Sequence, residues 1–273
     1  MISDFVDFLE NSPTIYHLIE NVKEKLISNG FNEITSSSNL SSGPSRFFLI
    51  DQSNILVMNI GGNEIQKGTF FANTYSSLFK IEKHSQIPTL QHNFCRVVAK
   101  TSKINSWAGR TMRLAGNVLI QNSSSETTEN VLVFTKTNCA ISPPSSQLNT
   151  QLPNTIDFHL GLSRDCVPFI NDYPGPIIKL ISENLHISSN QIKNLDLFFV
   201  DSEASQIFGC NDKSKIIISQ NISKLLSIYI SLIEIIKCNE NECVSFMIYN
   251  NECSQEIKVC LTRNVCLFLL SLV

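Results

Sequence analysis

Apolar residues recur at helical spacing at the start of the chain. Phe5, Phe8 and Leu9 share one face, and Ile19, Val22 and Leu26 share another before Gly30 stops the pattern. Ser12-Pro13 interrupts the run, so residues 1–33 read as two helices. The Ser-, Gly- and Pro-rich stretch Ser36 to Ser45 reads as a loop. RFFLI, NILVMNIGG and GTFFANT then follow as short apolar runs between turn residues, the pattern of strands. From Gln91 to His159 the pattern stays strand-like, clearest in VLIQ and NVLVFTK, with no strong helix. Helical periodicity returns at Ile177 to Leu185. NLDLFFVD reads as a buried strand, Ile222 to Cys238 as a helix-length apolar segment and CVSFMIYN as a last strand. The expected class is α/β, with a β-rich segment, 90–205, inserted between two parts of an α/β domain, 1–89 and 206–273. No internal repeat is evident.

Composition narrows the functional classes. With 42% hydrophobic and 16% charged residues over 273 positions, the chain can bury a substantial core. Lysine and arginine number 21 against 24 acids, for a net charge of -3, and no basic run could neutralise successive phosphates, so no nucleic-acid partner is expected. Asp4, Asp7 and Glu10 interrupt the N-terminal apolar residues, unlike a secretory signal. No apolar span reaches the roughly 20 residues a membrane helix needs, so no membrane partner is expected either. Nine cysteines without CxxC pairs point to reduced thiols and a cytoplasmic location. The apolar tail VCLTRNVCLFLLSLV reads as a terminal strand or helix, or as sequence foreign to the natural protein.

SPTIYHLIENVKEKLISNGF at 12–31 resembles the Ser-Pro-Thr-x-Tyr-His opening of the aspartyl aminopeptidases, a family of zinc metallopeptidases. SWAGRTMRLAGNVLI at 106–120 is similar to that family's Trp-Phe-Asp-Arg-Asp-Leu-x-Leu-Ala-Gly-Arg-Val segment at Trp107, Arg110, Leu114, Ala115, Gly116 and Val118. Further similar stretches are LPNTIDFHL, NLDLFFVDSEASQIFG and IISQNISKLLSIYISLIE, so colinear likeness runs to about residue 256. The resemblance implies a parallel-rich α/β catalytic domain interrupted by a β-rich dimerisation domain. It also implies homo-oligomers or assembly with family subunits through that domain, and peptides as ligands. The family extends well past the end of this chain, and that part holds its last two metal-binding groups.

The chemistry implied by the resemblance is hydrolysis with two metal ions about 4 Å apart, which activate a bridging water and stabilise the tetrahedral oxyanion. The family's Ala-His-Thr-Asp-Ser-Pro resembles Ala72-Asn73-Thr74-Tyr75-Ser76-Ser77, so Asn73 stands for the imidazole ligand and Tyr75 for the carboxylate that orients it. Its Arg-Leu-Asp-Asn-Leu resembles Asn221-Ile222-Ser223-Lys224-Leu225, which puts Ser223 at the bridging aspartate and a cationic Lys224 beside it. Its Asp-x-Glu-Glu resembles Asn250-Asn251-Glu252-Cys253. Glu252 is thus the general-base position, or a plain solvated carboxylate, and Cys253 a ligand position, or an ordinary thiol. His159 resembles a histidine that reaches across the dimer interface to substrate; a structural histidine is the other reading. Trp107 and Arg110 read as packing and surface-pairing residues. On these substitutions we expect no cofactor, although the family uses zinc. The leading expectation is a non-catalytic homologue, inactive or a truncated product, that binds peptides or family subunits. The rivals are an active aminopeptidase whose sequence is incomplete and a product without function.

Overall fold

A computed structural model of the chain describes residues 2–34, 45–51, 54–60, 66–73, 79–81, 94–99, 107–121, 127–136, 138–142, 155–160, 173, 175–209, 215–238 and 242–249. In chain order the helices are α1 (Ile2–Glu10), α2 (Ile15–Ser28), α3 (Gly175–Leu185) and α4 (Ile222–Lys237). The first strands are β1 (Asn32–Glu33), β2 (Ser45–Asp51), β3 (Asn54–Ile60), β4 (Gln66–Asn73), β5 (Phe79–Ile81), β6 (Phe94–Ala99) and β7 (Thr111–Gln121). They are followed by β8 (Thr128–Phe134), β9 (Ala140–Ile141), β10 (Thr155–Leu160), β11 (Ile192–Asp201), β12 (Gln206–Phe208), β13 (Ile216–Ile218) and β14 (Cys243–Tyr249). The chain divides into two compact units, Met1–Asn21 with Ser77–Gln220, and Val22–Ser76 with Asn221–Val273. These divisions fall at other positions than the expected 1–89, 90–205 and 206–273.

The junction between α1 and α2 explains the SPTIYH run in physical terms. Pro13 supplies no amide to continue α1, and Thr14 caps α2: its carbonyl accepts the Leu18 amide at 2.9 Å and its hydroxyl lies 2.8 Å from His17 Nδ1. Asn21 Nδ2 donates to the Ser12 hydroxyl at 3.0 Å and to the Phe8 carbonyl at 3.3 Å, tying the second helix back to the end of the first. Gly30, at φ +80°, closes α2, because that left-handed conformation costs a glycine little. The expected helix to residue 33 therefore ends early, and Asn32 and Glu33 instead pair in parallel with Phe47 and Phe48.

In the first unit, β7 pairs with β11 along one edge and with β9 and β8 along the other, so the succession β11-β5-β6-β10-β9-β7 returns to β11. Closure removes the free edges of these six antiparallel strands. Alternate residues of each strand enter one core: Met112, Leu114, Val118 and Ile120 from β7, Leu195, Leu197 and Phe199 from β11, Cys95 and Val97 from β6. Phe158 stands between Phe79 and Phe199, with ring centroids 5.0 and 5.3 Å away, and α3 adds Ile177, Ile178 and Ile181. The opposite face of β7 and β11 carries Ala115, Phe198 and Val200, packed with Tyr16 and Phe134.

The second unit holds a five-stranded sheet in the order β1-β2-β3-β14-β4. It is mixed, unlike the parallel-rich sheet implied by the resemblance: β1–β2 and β14–β4 are parallel, whereas β2–β3 and β3–β14 are antiparallel. All but the last residue of β3 are buried, including the apolar run Ile55 to Met58 at its centre. Its two buried polar ends are the exception, and Asn59 is satisfied by Arg46 Nε at 3.1 Å and by donating to the Glu242 carbonyl at 2.7 Å.

Candidate functional site

The family-like positions Asn73 and Ser223 come to the same end of the second sheet. Arg46, near the start of β2, lies opposite Asn59, which lies opposite Val244 at the start of β14. The Arg46 guanidinium donates to the Ile236 and Cys238 carbonyls, both at 2.8 Å, and so holds the C-terminus of α4 at the end where β14 begins. Sixteen helical residues span about 24 Å, close to the length of a seven-residue strand, and α4 packs along β4 and β14. Its N-terminus, with Ser223, therefore reaches the opposite end. There β4 finishes at Asn73, in parallel register with Tyr249 at the finish of β14. Carboxyl ends of parallel strands beside a helix N-terminus are where α/β sheets collect their sites. Ser223 and Lys224 are exposed on the first turn of α4. Tyr75, Glu252 and Cys253 lie outside the described residues.

The remaining candidates belong to the first unit. His159 is in β10, opposite Phe94 and Ile141. Trp107 packs edge-on against Phe79 at 5.3 Å and under the Arg110 guanidinium at 5.2 Å, and Arg110 pairs with the buried Asp201 carboxylate at 2.5 Å. Both are packing and pairing residues, as read from the sequence. Residues that sequence reasoning passed over surround the SPTIYH run: the Tyr16 hydroxyl donates to Asp196 Oδ2, and Lys80 Nζ lies 2.9 Å from Asp196 Oδ1. Burial against the edge of Phe134 lowers the His17 pKa to about 4. The Tyr16 and His17 positions were visible in the motif, but their partners stand far away in sequence. Cys95 and Cys139 are buried thiols outside any disulfide, and burial pushes Cys139 up to about 12, which makes it inert as a nucleophile.

The family description Aminopeptidase I zinc metalloprotease (M18) matches residues 8–253. This chain belongs to the M18 peptidase family. It is similar to a probable M18 family aminopeptidase 2 of Clostridium novyi, 22% identical over 270 residues that cover 92% of this chain and 60% of that protein. It is also similar to an aspartyl aminopeptidase of Dictyostelium discoideum, 23% identical over 279 residues that cover 87% of this chain and 57% of that one. An S. cerevisiae mApe1 dodecamer structure shares its fold, at TM-score 0.69 and 16% identity over 92% of this chain and 60% of that one. The M18 chain described here thus spans about 60% of the length of these relatives.

Membership corrects the expectation of no cofactor: the family is one of zinc metalloproteases, so zinc is the cofactor it implies. That expectation weighed single substituted positions and let them stand for the whole site. Among the described residues, no group of three or more His, Cys, Asp or Glu side chains is arranged to hold a metal. An asparagine on β4 and an exposed serine on α4 are a poor donor set for zinc, which takes about four ligands from thiolates, imidazoles and carboxylates. Tyr75, Glu252 and Cys253, at further family-like positions, lie outside the described residues, and no reaction step is routed through the ion. Nor is any of its described helices long and apolar enough to cross a membrane.

Proposed function

We propose that this M18 chain keeps the family's fold as a peptide- or subunit-binding protein and does not by itself release N-terminal Asp or Glu. The supporting observation is the sheet end at which β4, β14 and α4 converge. Asn73 and Ser223 stand there in place of the imidazole and bridging carboxylate that the family resemblance calls for. A hydroxyl cannot replace the charge of a carboxylate between two cations, and an amide oxygen is a poorer zinc donor than an imidazole nitrogen. In this reading residues 90–205 form the inserted dimerisation domain, and His159 faces a neighbouring subunit. The dodecamer formed by the S. cerevisiae neighbour supports a homo-oligomer.

The test supplies zinc in excess, because zinc is the family's cofactor. Purified chain is incubated with Asp- and Glu-terminated fluorogenic peptides, and N-terminal release is followed over hours. We expect none above buffer, and a dimer or larger species in sedimentation. Chelator-sensitive release that disappears in Glu252→Gln would sink the proposal in favour of an active zinc aminopeptidase.

A further inference from the structure

A cleft of about 330 Å³ opens within the first unit, lined among others by Trp107, Arg110, Arg113, Phe134, Phe208 and Ile218. It shares no residue with the sheet end that carries Asn73 and Ser223. The two cations in its wall differ in state. Arg110 is neutralised by Asp201 at 2.5 Å. Arg113 stacks over the Phe134 ring at 4.4 Å, its Nε is buried without a hydrogen-bond partner, and among the described residues no carboxylate pairs with it. Arg113 lines the cleft, and a guanidinium with no carboxylate of its own among the described residues can take a ligand carboxylate with charge assistance.

The acids of the cleft do not meet that need. Asp201 is engaged with Arg110 and accepts the Glu203 amide at 3.1 Å. Glu10 accepts the Ser205 amide. Glu203 is exposed at the rim. The ribbon of β12 and β13 meanwhile places Phe208, 49% exposed, and Ile218, 56% exposed, on the cleft wall, apolar surface that a folded chain ordinarily covers.

We propose that this cleft binds a peptide segment in which a carboxylate side chain neighbours a bulky apolar one, the carboxylate on Arg113 and the apolar group on Phe208 and Ile218. Stacking on Phe134 holds the guanidinium plane, which favours a bidentate carboxylate over a point anion. The test uses a fluorescein-labelled Glu-Phe-Glu-Leu peptide, its Gln-Phe-Gln-Leu analogue and fluorescence anisotropy on the full chain. The acidic peptide is expected to bind about tenfold or more tightly than the analogue. In Arg113→Gln that preference disappears. Phe208→Ser, at an exposed position where folding is not at stake, weakens the acidic peptide by about tenfold. Equal binding of the two peptides to the parent chain, a preference that survives Arg113→Gln, or unchanged affinity in Phe208→Ser would each overturn the assignment.

Discussion

Replacing Gly116 by alanine tests the packing of the ladder on which the first unit is built. Gly116 is paired with Leu197 across β7 and β11, and a Cβ there would lie 2.2 Å from the Asp196 carbonyl oxygen and 2.9 Å from Leu197 Cα. Both are backbone atoms, so no side chain can rotate away. To reach ordinary contact the strands must part by about 1 Å in the middle of a ladder that runs from Ile192 to Asp201. Parting them loosens the cores on both faces, Leu114 and Val118 with Leu197 on one side and Ala115 with Phe198 on the other. The cost lies at the upper end of overpacking, about 3 kcal/mol, or roughly 6 to 12 °C in the melting temperature of a unit this size. Thermal unfolding followed by circular dichroism measures it. A Gly116→Ala protein that melts within a degree of the parent would show that β7 and β11 do not approach as described.

Three further outcomes follow from local contacts. With its pKa lowered to about 4 by burial, His17 stays neutral in the folded chain, whereas its unfolded form binds a proton from about pH 6.5 downward. Stability should therefore be full above pH 6.5 and fall by up to about 3 kcal/mol as pH drops to 4. Urea midpoints across that range should show the slope, and His17→Gln should flatten it; a parent curve already flat there refutes the shift. Arg46→Ala removes two charged hydrogen bonds to the end of α4 and the Asn59 partner, and should destabilise the second unit by about 2 to 3 kcal/mol, read as faster amide exchange at Ile235 to Cys238. Thr14→Ala removes the hydroxyl that accepts the His17 amide and lies 2.8 Å from His17 Nδ1, for about 1 kcal/mol, and a midpoint unchanged in urea would mean the cap is idle.

Much of the fold was legible because periodicity reports burial directly. NILVMNI, NLDLFFVD and Ile222 to Cys238 became β3, β11 and α4 within a residue or two, since an apolar face must be covered whatever covers it. The short strands β1, β5 and β9 were not legible. Two or three residues carry no period, and they are strands only because a partner supplies their hydrogen bonds. Of the candidate site, the motifs named Asn73 and Ser223, yet no spacing in the chain says that positions about 150 residues apart share one end of a sheet. That follows from Arg46 anchoring the far end of α4.

By itself, then, the sequence determined which residues are apolar, where helices start and stop, which family the motifs resemble and which chemical groups stand at its metal positions. These are properties of single side chains and their near neighbours. Tertiary structure alone decided that β7 pairs with β11 and closes a ring of strands, that Gly116 is required by a carbonyl eighty residues away, that Tyr16 reaches Asp196 and that Arg113 Nε is buried without a hydrogen-bond partner among the described residues. Each depends on a contact whose cost and benefit are set by packing between distant segments, which local pattern does not encode.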